Sequence, residues 1–172
     1  MDLLTPLQRR LLREIGQSPL REEFFLTGGT ALAALYLCHR YSLDLDLFTE
    51  NPTAVARVPP TIQEIAGRLS LEVTFTRTLG TFLEAFVASP GGERVEFDFA
   101  QDSPYRLEPT RLDPELGLWV DNPTDIACNK LSALFDRAEP KDFVDIYFVV
   151  QEIYPFDQLV TLARRKHVGM DD

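Results

Sequence analysis

Asp44 and Asp46 stand one residue apart in YSLDLDLFTE, residues 41–50, where they alternate with Leu43, Leu45 and Leu47. The alternation predicts a strand with leucines on one face and acids on the other. Residues two apart on a strand lie about 6.6–6.8 Å apart along the backbone. Carboxylates that close to about 4 Å repel by about 4 kcal/mol at an effective dielectric near 20. Such a pair persists on the solvated face of an edge strand, or around a cation. Mg2+ suits the second case, since it is small and is typically held by one or two carboxylates plus substrate phosphates.

RVEFDFA, residues 94–100, repeats the form: Val95, Phe97 and Phe99 face inward, Glu96 and Asp98 outward. With the two strands side by side, Asp98 completes a three-carboxylate cluster that can activate a hydroxyl for in-line attack on phosphorus. Otherwise it is a plain solvent-face acid. Upstream, Gly28-Gly29-Thr30 separates the apolar FFLT from an Ala- and Leu-rich stretch. Glycines between a strand and a helix let backbone N–H groups approach a phosphate, which the helix N-terminus favours. Thr30 caps that helix or binds phosphate; the glycine pair by itself reads equally well as a tight turn. Lys130 is either a site residue or a lysine snorkelling from an apolar helix. His39, Arg40 and Asp142 read as site residues or as helix-end charges facing the dipole, and Asp145 as a first-turn acid placed for the dipole.

The elements that must position these residues follow from spacing. A first helix is expected from Thr5, with Pro6 in its first turn and Leu7, Leu11, Leu12 and Ile15 as its apolar stripe, ending between Gly16 and Pro19. FFLT is a short buried strand, GG a tight turn, TALAALYLCHR a helix, and residues 41–50 a strand. NPTAVARVPP reads as a loop and TIQEIAGRLS as a helix. Strands LEVTFTRTL, TFLEAFVAS and ERVEFDFA follow, the last two joined at Pro90-Gly91-Gly92. Residues 101–122 are Pro- and Asp-rich and read as irregular. Asn122 as N-cap, Pro123 at N1 and Asp125 at N3 open a helix to about Arg137. Pro140 breaks it, and KDFVDIYFVVQEI is the next. The order predicts an α+β fold, a mixed sheet flanked by helices, in one domain over 1–172, with its core at 20–100 and a helical C-terminal part at 122–172.

The 172 residues fit such a single domain. Two cysteines and two histidines are too few for a disulfide framework or a Cys- or His-based metal centre. The N-terminus lacks a signal-peptide pattern, and no apolar run nears the ~20 residues of a membrane span. A cytoplasmic protein is expected. The net charge of −10 excludes a broad basic footprint for nucleic acid. Local clusters at Arg9, Arg10 and Arg13 and at Arg164, Arg165 and Lys166 leave room for a small, salt-sensitive one.

Together, LTGGTALAALYLCHRYSLDLDLF, VEFDFA and DIACNKLSALFDRAEPKDFVDIYFVV resemble the AbiEii/AbiGii toxin family of nucleotidyltransferase-like proteins, from about Phe24 to Val150. The resemblance implies a polymerase-β-like nucleotidyltransferase fold. It also implies metal-dependent transfer of a nucleoside monophosphate from an NTP, with Mg2+ or Mn2+, to an acceptor such as RNA or tRNA. Such proteins are toxins of toxin–antitoxin or phage-defence pairs, which implies a cognate antitoxin. Carried over, Gly28, Gly29 and Thr30 bind the triphosphate, Asp44 and Asp46 the metal, and Asp98 is the third carboxylate. Lys130 contacts the nucleotide, and Asp142 positions or activates the acceptor. Ser42 joins the nucleotide-binding signature, and His39 and Arg40 are substrate contacts. The resemblance is also consistent with a catalytically weak nucleotide- or partner-binding module. The acidic charge suits a small-molecule acceptor such as an aminoglycoside.

Overall fold

The computed structural model describes residues 3–167, so the extreme ends of the domain expected over 1–172 lie outside the described residues. A seven-stranded mixed sheet forms the centre. Helix α1 (Pro6–Gly16) starts where expected: Thr5 Oγ1 accepts from the Gln8 N–H while the Gln8 side chain accepts from the Thr5 N–H. This reciprocal box satisfies two amides that the helix itself cannot pair. Leu7, Leu11, Leu12 and Ile15 are all buried, as their spacing requires.

β1 (Phe25–Thr27) pairs antiparallel with β2 (Asp44–Thr49), and β2 pairs parallel with β5 (Arg94–Gln101). β3 (Glu72–Leu79) and β4 (Phe82–Ala88) extend the sheet beyond β5 as an antiparallel meander. Leu45 and Leu47 on β2 and Phe97 and Phe99 on β5 are fully buried, and Phe99 meets Phe24 edge-on at 5.4 Å. The alternation therefore aims one face of the sheet at the core and leaves the acids on the other.

Four expectations change. First, the helix after β1 opens at Gly28 itself: one α-helical turn, α2 (Gly28–Thr30), continues as a π-helix over Ala31–Leu37. It stops at Cys38, whose φ of 51° is left-handed, so His39 and Arg40 lie beyond its end rather than on its last turn. Second, Pro59 and Pro60 belong to the first turn of α3 (Val58–Leu69), where a missing N–H is no loss. Third, residues 101–122 contain two short strands, β6 (Arg111–Asp113) and β7 (Leu118–Val120). β7 runs parallel to β1 and pairs its second side, which a buried strand needs for its backbone polar groups. Fourth, within the C-terminal part expected to be helical, α6 (Phe156–Lys166) forms beyond KDFVDIYFVVQEI as a further helix that the spacing does not delimit.

Between them lie α4 (Pro123–Asp136), capped by Asn122 as expected, and α5 (Pro140–Glu152), which Pro140 opens at its first position. α4 packs against α5, α6 and α2, and so brings the C-terminal helices to the glycine turn.

Candidate active site

The parallel register sets Asp46 of β2 beside Asp98 of β5 and Asp44 beside Glu96, while Glu84 of β4 faces Asp98 from the other side. Because β2 lies between β1 and β5, its acids are not the wet face of an edge strand. Five carboxylates share one face, a wider ladder than the expected trio. Among the described residues, the group whose oxygens fall within 4.8 Å of one another is Glu84, Glu96 and Asp98. Burial, then the Asp46 and Glu84 charges, push the Asp98 carboxyl up to about 6, and its Oδ1 is buried without a partner. Asp46 is also raised, first by burial; Lys130 and the Gly29 N–H oppose this, while Asp44 adds to it.

Gly28 has φ +68°, and a Cβ there would lie 1.9 Å from Asp46 Oδ2. Only glycine lets the turn close over that carboxylate. A Cβ on Gly29 would lie 2.8 Å from Arg40 Nη2, 3.3 Å from Ser42 Oγ and 3.5 Å from Lys130 Nζ. Arg40 and Ser42, from the segment before β2, and Lys130, from the helix that follows Asn122, therefore converge on the turn. The Thr30 hydroxyl instead donates to the Asp44 carbonyl, and the residue is buried. Its side chain ties α2 to β2 and neither caps the helix nor faces a ligand.

Lys130 does not snorkel. It is buried, with Nζ 3.1 Å from Asp142 Oδ1 and 2.9 Å from Asp145 Oδ2. Asp145 also accepts from His39 Nε2 at 2.7 Å and from Arg40 Nε and Nη2 at 2.7 and 2.8 Å. Burial opposes ionisation of Asp145, but the bonds from Arg40, Lys130 and His39 outweigh it and hold the carboxyl below the usual range. The His39 side chain has 0% exposure and packs on Phe148, so the expected substrate contact there is withdrawn. Arg40 keeps 17% exposure beside the turn. Asp142 is also fully buried, and the bonds from Arg137 and Lys130 outweigh burial and hold its carboxyl low. It anchors these cations and is not presented to an acceptor for activation. Lys141, next to it, reaches Asp44 Oδ2 at 3.4 Å.

A cleft of about 370 Å3 opens here, its lining including Gly28, Asp46 and Lys130. A larger recess of about 450 Å3, near Phe25, Arg106 and Trp119, contains none of the sheet's aspartates. The chemistry therefore belongs to the smaller cleft. The residues that sequence reasoning left out of the site are Asp145, Lys141, Arg137, Glu84 and Glu96. The signal for one of them was present: Asp145 is three residues after Asp142, hence on the same face of a helix.

A mixed sheet, a glycine turn closing on its central acids and a buried lysine above them define a nucleotidyltransferase architecture. The family model of nucleotidyl transferase AbiEii toxins, of type IV toxin–antitoxin systems, matches residues 10–169, and the chain belongs to that family. An uncharacterized protein of Aquifex aeolicus is 28% identical over 167 residues, covering 95% of this chain and 76% of its own. JHP933 from Helicobacter pylori superposes with a TM-score of 0.64 at 19% identity, over 92% of this chain and 69% of that one. MenT4, a nucleotidyltransferase toxin from Mycobacterium tuberculosis, gives 0.63 at 19%, over 91% and 61%. At those identities the two structures speak for the fold alone. Among the described residues, no helix is long and apolar enough to cross a membrane.

Proposed function

We propose that this nucleotidyltransferase moves a nucleoside monophosphate from an NTP to an RNA hydroxyl, with a divalent cation at the sheet's acids. The observation that supports it is the position of Asp46, between the Gly28 turn and Asp98 in one cleft with Lys130. A raised, partly buried carboxylate with an unpartnered oxygen at Asp98, beside Asp46, fits a hard cation better than it fits water. Asp46 and Asp98, with Asp44 at the rim, would hold Mg2+ or Mn2+, which when bound supplies charge for the triphosphate and acidifies the attacking hydroxyl.

The chain's own residues do the rest. The Gly28-Gly29 backbone offers N–H groups to phosphate without a side chain in the way. Lys130 and Arg40, held in place by Asp145, present fixed positive charge to it. Lys141, now paired with Asp44, is a third cation at the same rim. Membership of a type IV toxin–antitoxin family supports inhibition of growth, relieved by a cognate antitoxin, as the physiological outcome.

Incubation with labelled NTPs, Mg2+ and total RNA tests this. Label should appear on RNA, and Asp46→Asn should lower transfer by more than the ~10–100-fold typical of changes behind a metal ligand. Transfer that never occurs, or that survives Asp46→Asn, sinks the proposal. The partly exposed Glu84, Glu96 and Asp98 ladder favours a second reading, a polycationic small acceptor. Label on an aminoglycoside but not on RNA selects it.

A further inference from the structure

The cleft has two chemically different sets of lining residues. Gly28, Asp46 and Lys130 form one. The other holds His167, the residue after α6, in the field of Asp102 and Asp136. Phe48 and Ala133 contribute apolar wall to the same cleft. A triphosphate seated on the glycine turn has its nucleoside left to accommodate, and His167 lines the same cleft.

The position of His167 is built in. Its neighbour Lys166, 8% exposed, makes an ion pair with Asp125. Asp125 is fixed in turn by the backbone N–H groups of Leu107 and Glu108, at 3.1 and 3.0 Å. The last turn of α6 is therefore pinned to the start of α4, and His167 follows directly.

The ring itself is half-buried. Its Nε2 is shut off from solvent without a partner, so its accessible nitrogen is Nδ1. Burial, reinforced by Lys166, lowers its pKa and keeps the ring neutral near pH 7. A neutral imidazole carries one N–H, and a buried orphan N–H is the rarer and costlier arrangement. We assign the proton to Nδ1, which leaves Nε2 bare.

We propose that His167 is a nucleoside-contacting residue, offering one N–H donor from the end of α6 to an acceptor atom of the bound nucleotide's nucleoside; this rests on the nucleotide reading of the cleft. It explains why a helix at the far end of the chain is anchored by a buried lysine–carboxylate pair next to the site.

Titration calorimetry on the full chain tests it, with Mg2+-NTPs and with inorganic tripolyphosphate, which lacks a nucleoside. Asn places an amide N–H near the Nδ1 position; Gln places one near Nε2. His167→Ala and His167→Gln should each weaken NTP binding roughly tenfold, the worth of one neutral hydrogen bond. Their tripolyphosphate affinity should stay at the wild-type value, and His167→Asn should recover most of the NTP affinity. Unchanged NTP affinity in His167→Ala overturns the inference alone, as does an equal loss for NTP and tripolyphosphate. Better rescue by Gln than by Asn also overturns it. A wild-type chain that binds no NTP overturns the nucleotide reading together with the inference.

Discussion

Asp98 shows how the fold treats a single carboxylate. Its carboxyl is pushed up to about 6 from the ordinary 3.8, first by burial and then by Asp46 and Glu84, against the opposing charge of Arg77. Between those values the folded chain keeps a proton that the unfolded chain has released. Stability therefore falls as pH rises through this window, and the full cost is present above about pH 6. Removing the charge should remove the cost. With a chelator present, Asp98→Asn should melt higher than wild type at neutral pH, by roughly 1–2 kcal/mol after allowing for solvent screening. The difference should vanish near pH 4. Thermal melts of both proteins across this range decide it; an Asp98→Asn advantage that persists unchanged to pH 4 rules out the charge as its cause. The cation proposed for these acids would relieve the same repulsion.

At the scale of elements, α1 is the brace that the sequence showed most clearly and whose purpose it showed least. Gln8, 1% exposed, sends its amide to the carbonyls of Ser42 and Leu43 at 2.9 and 3.1 Å, immediately before Asp44. The end of α1 presses on the turn before β7: a Cβ at Gly16 would lie 2.2 Å from the Leu116 carbonyl. Gly16→Ala should thus force α1 off β7 and cost about 1–3 kcal/mol, the range for overpacking. A denaturant melt reads this directly, and an unchanged midpoint would show that the backbone yields freely there. The strands with strict alternation, β2 and β5, and the capped helices α1 and α4 were legible because their signals lie within the element. β6 and β7 were not, since three-residue strands in a Pro-rich stretch exist only because β1 has a side to pair. The same division runs through the site. Asp44, Asp46, Gly28 and Gly29 could be chosen from local pattern, and Lys130 only through the family resemblance. His39 was misread because its burial is imposed by α5, from more than a hundred residues away. Asp145 was missed as the hub for the same reason: its partners come from the segment after α2 and from α4.

For the whole molecule, the charge of −10 sets how an RNA acceptor can be held. The cations nearest the cleft are Arg40, Lys130, Arg137 and Lys141, and each already faces a carboxylate: Asp145, Asp142 or Asp44. The clusters that looked basic in the sequence are also partly neutralised. Arg9 pairs with Glu115 at 3.2 Å, and Lys166 is buried against Asp125. Few positive groups are left to displace counterions from a phosphate backbone, and the surrounding acids repel it. Productive contact should then come from the nucleotide and the reacting end of the acceptor rather than from a long electrostatic track. Binding of single-stranded RNA should be weak, and log K against log salt should have a slope no steeper than about −3, given about −0.7 per phosphate contact. Filter binding or the KM for RNA, measured between about 50 and 200 mM salt, provides the number. A markedly steeper slope would place the acceptor on a basic surface outside this cleft, and charge reversal at Arg10 and Arg13 would be the next measurement to locate it.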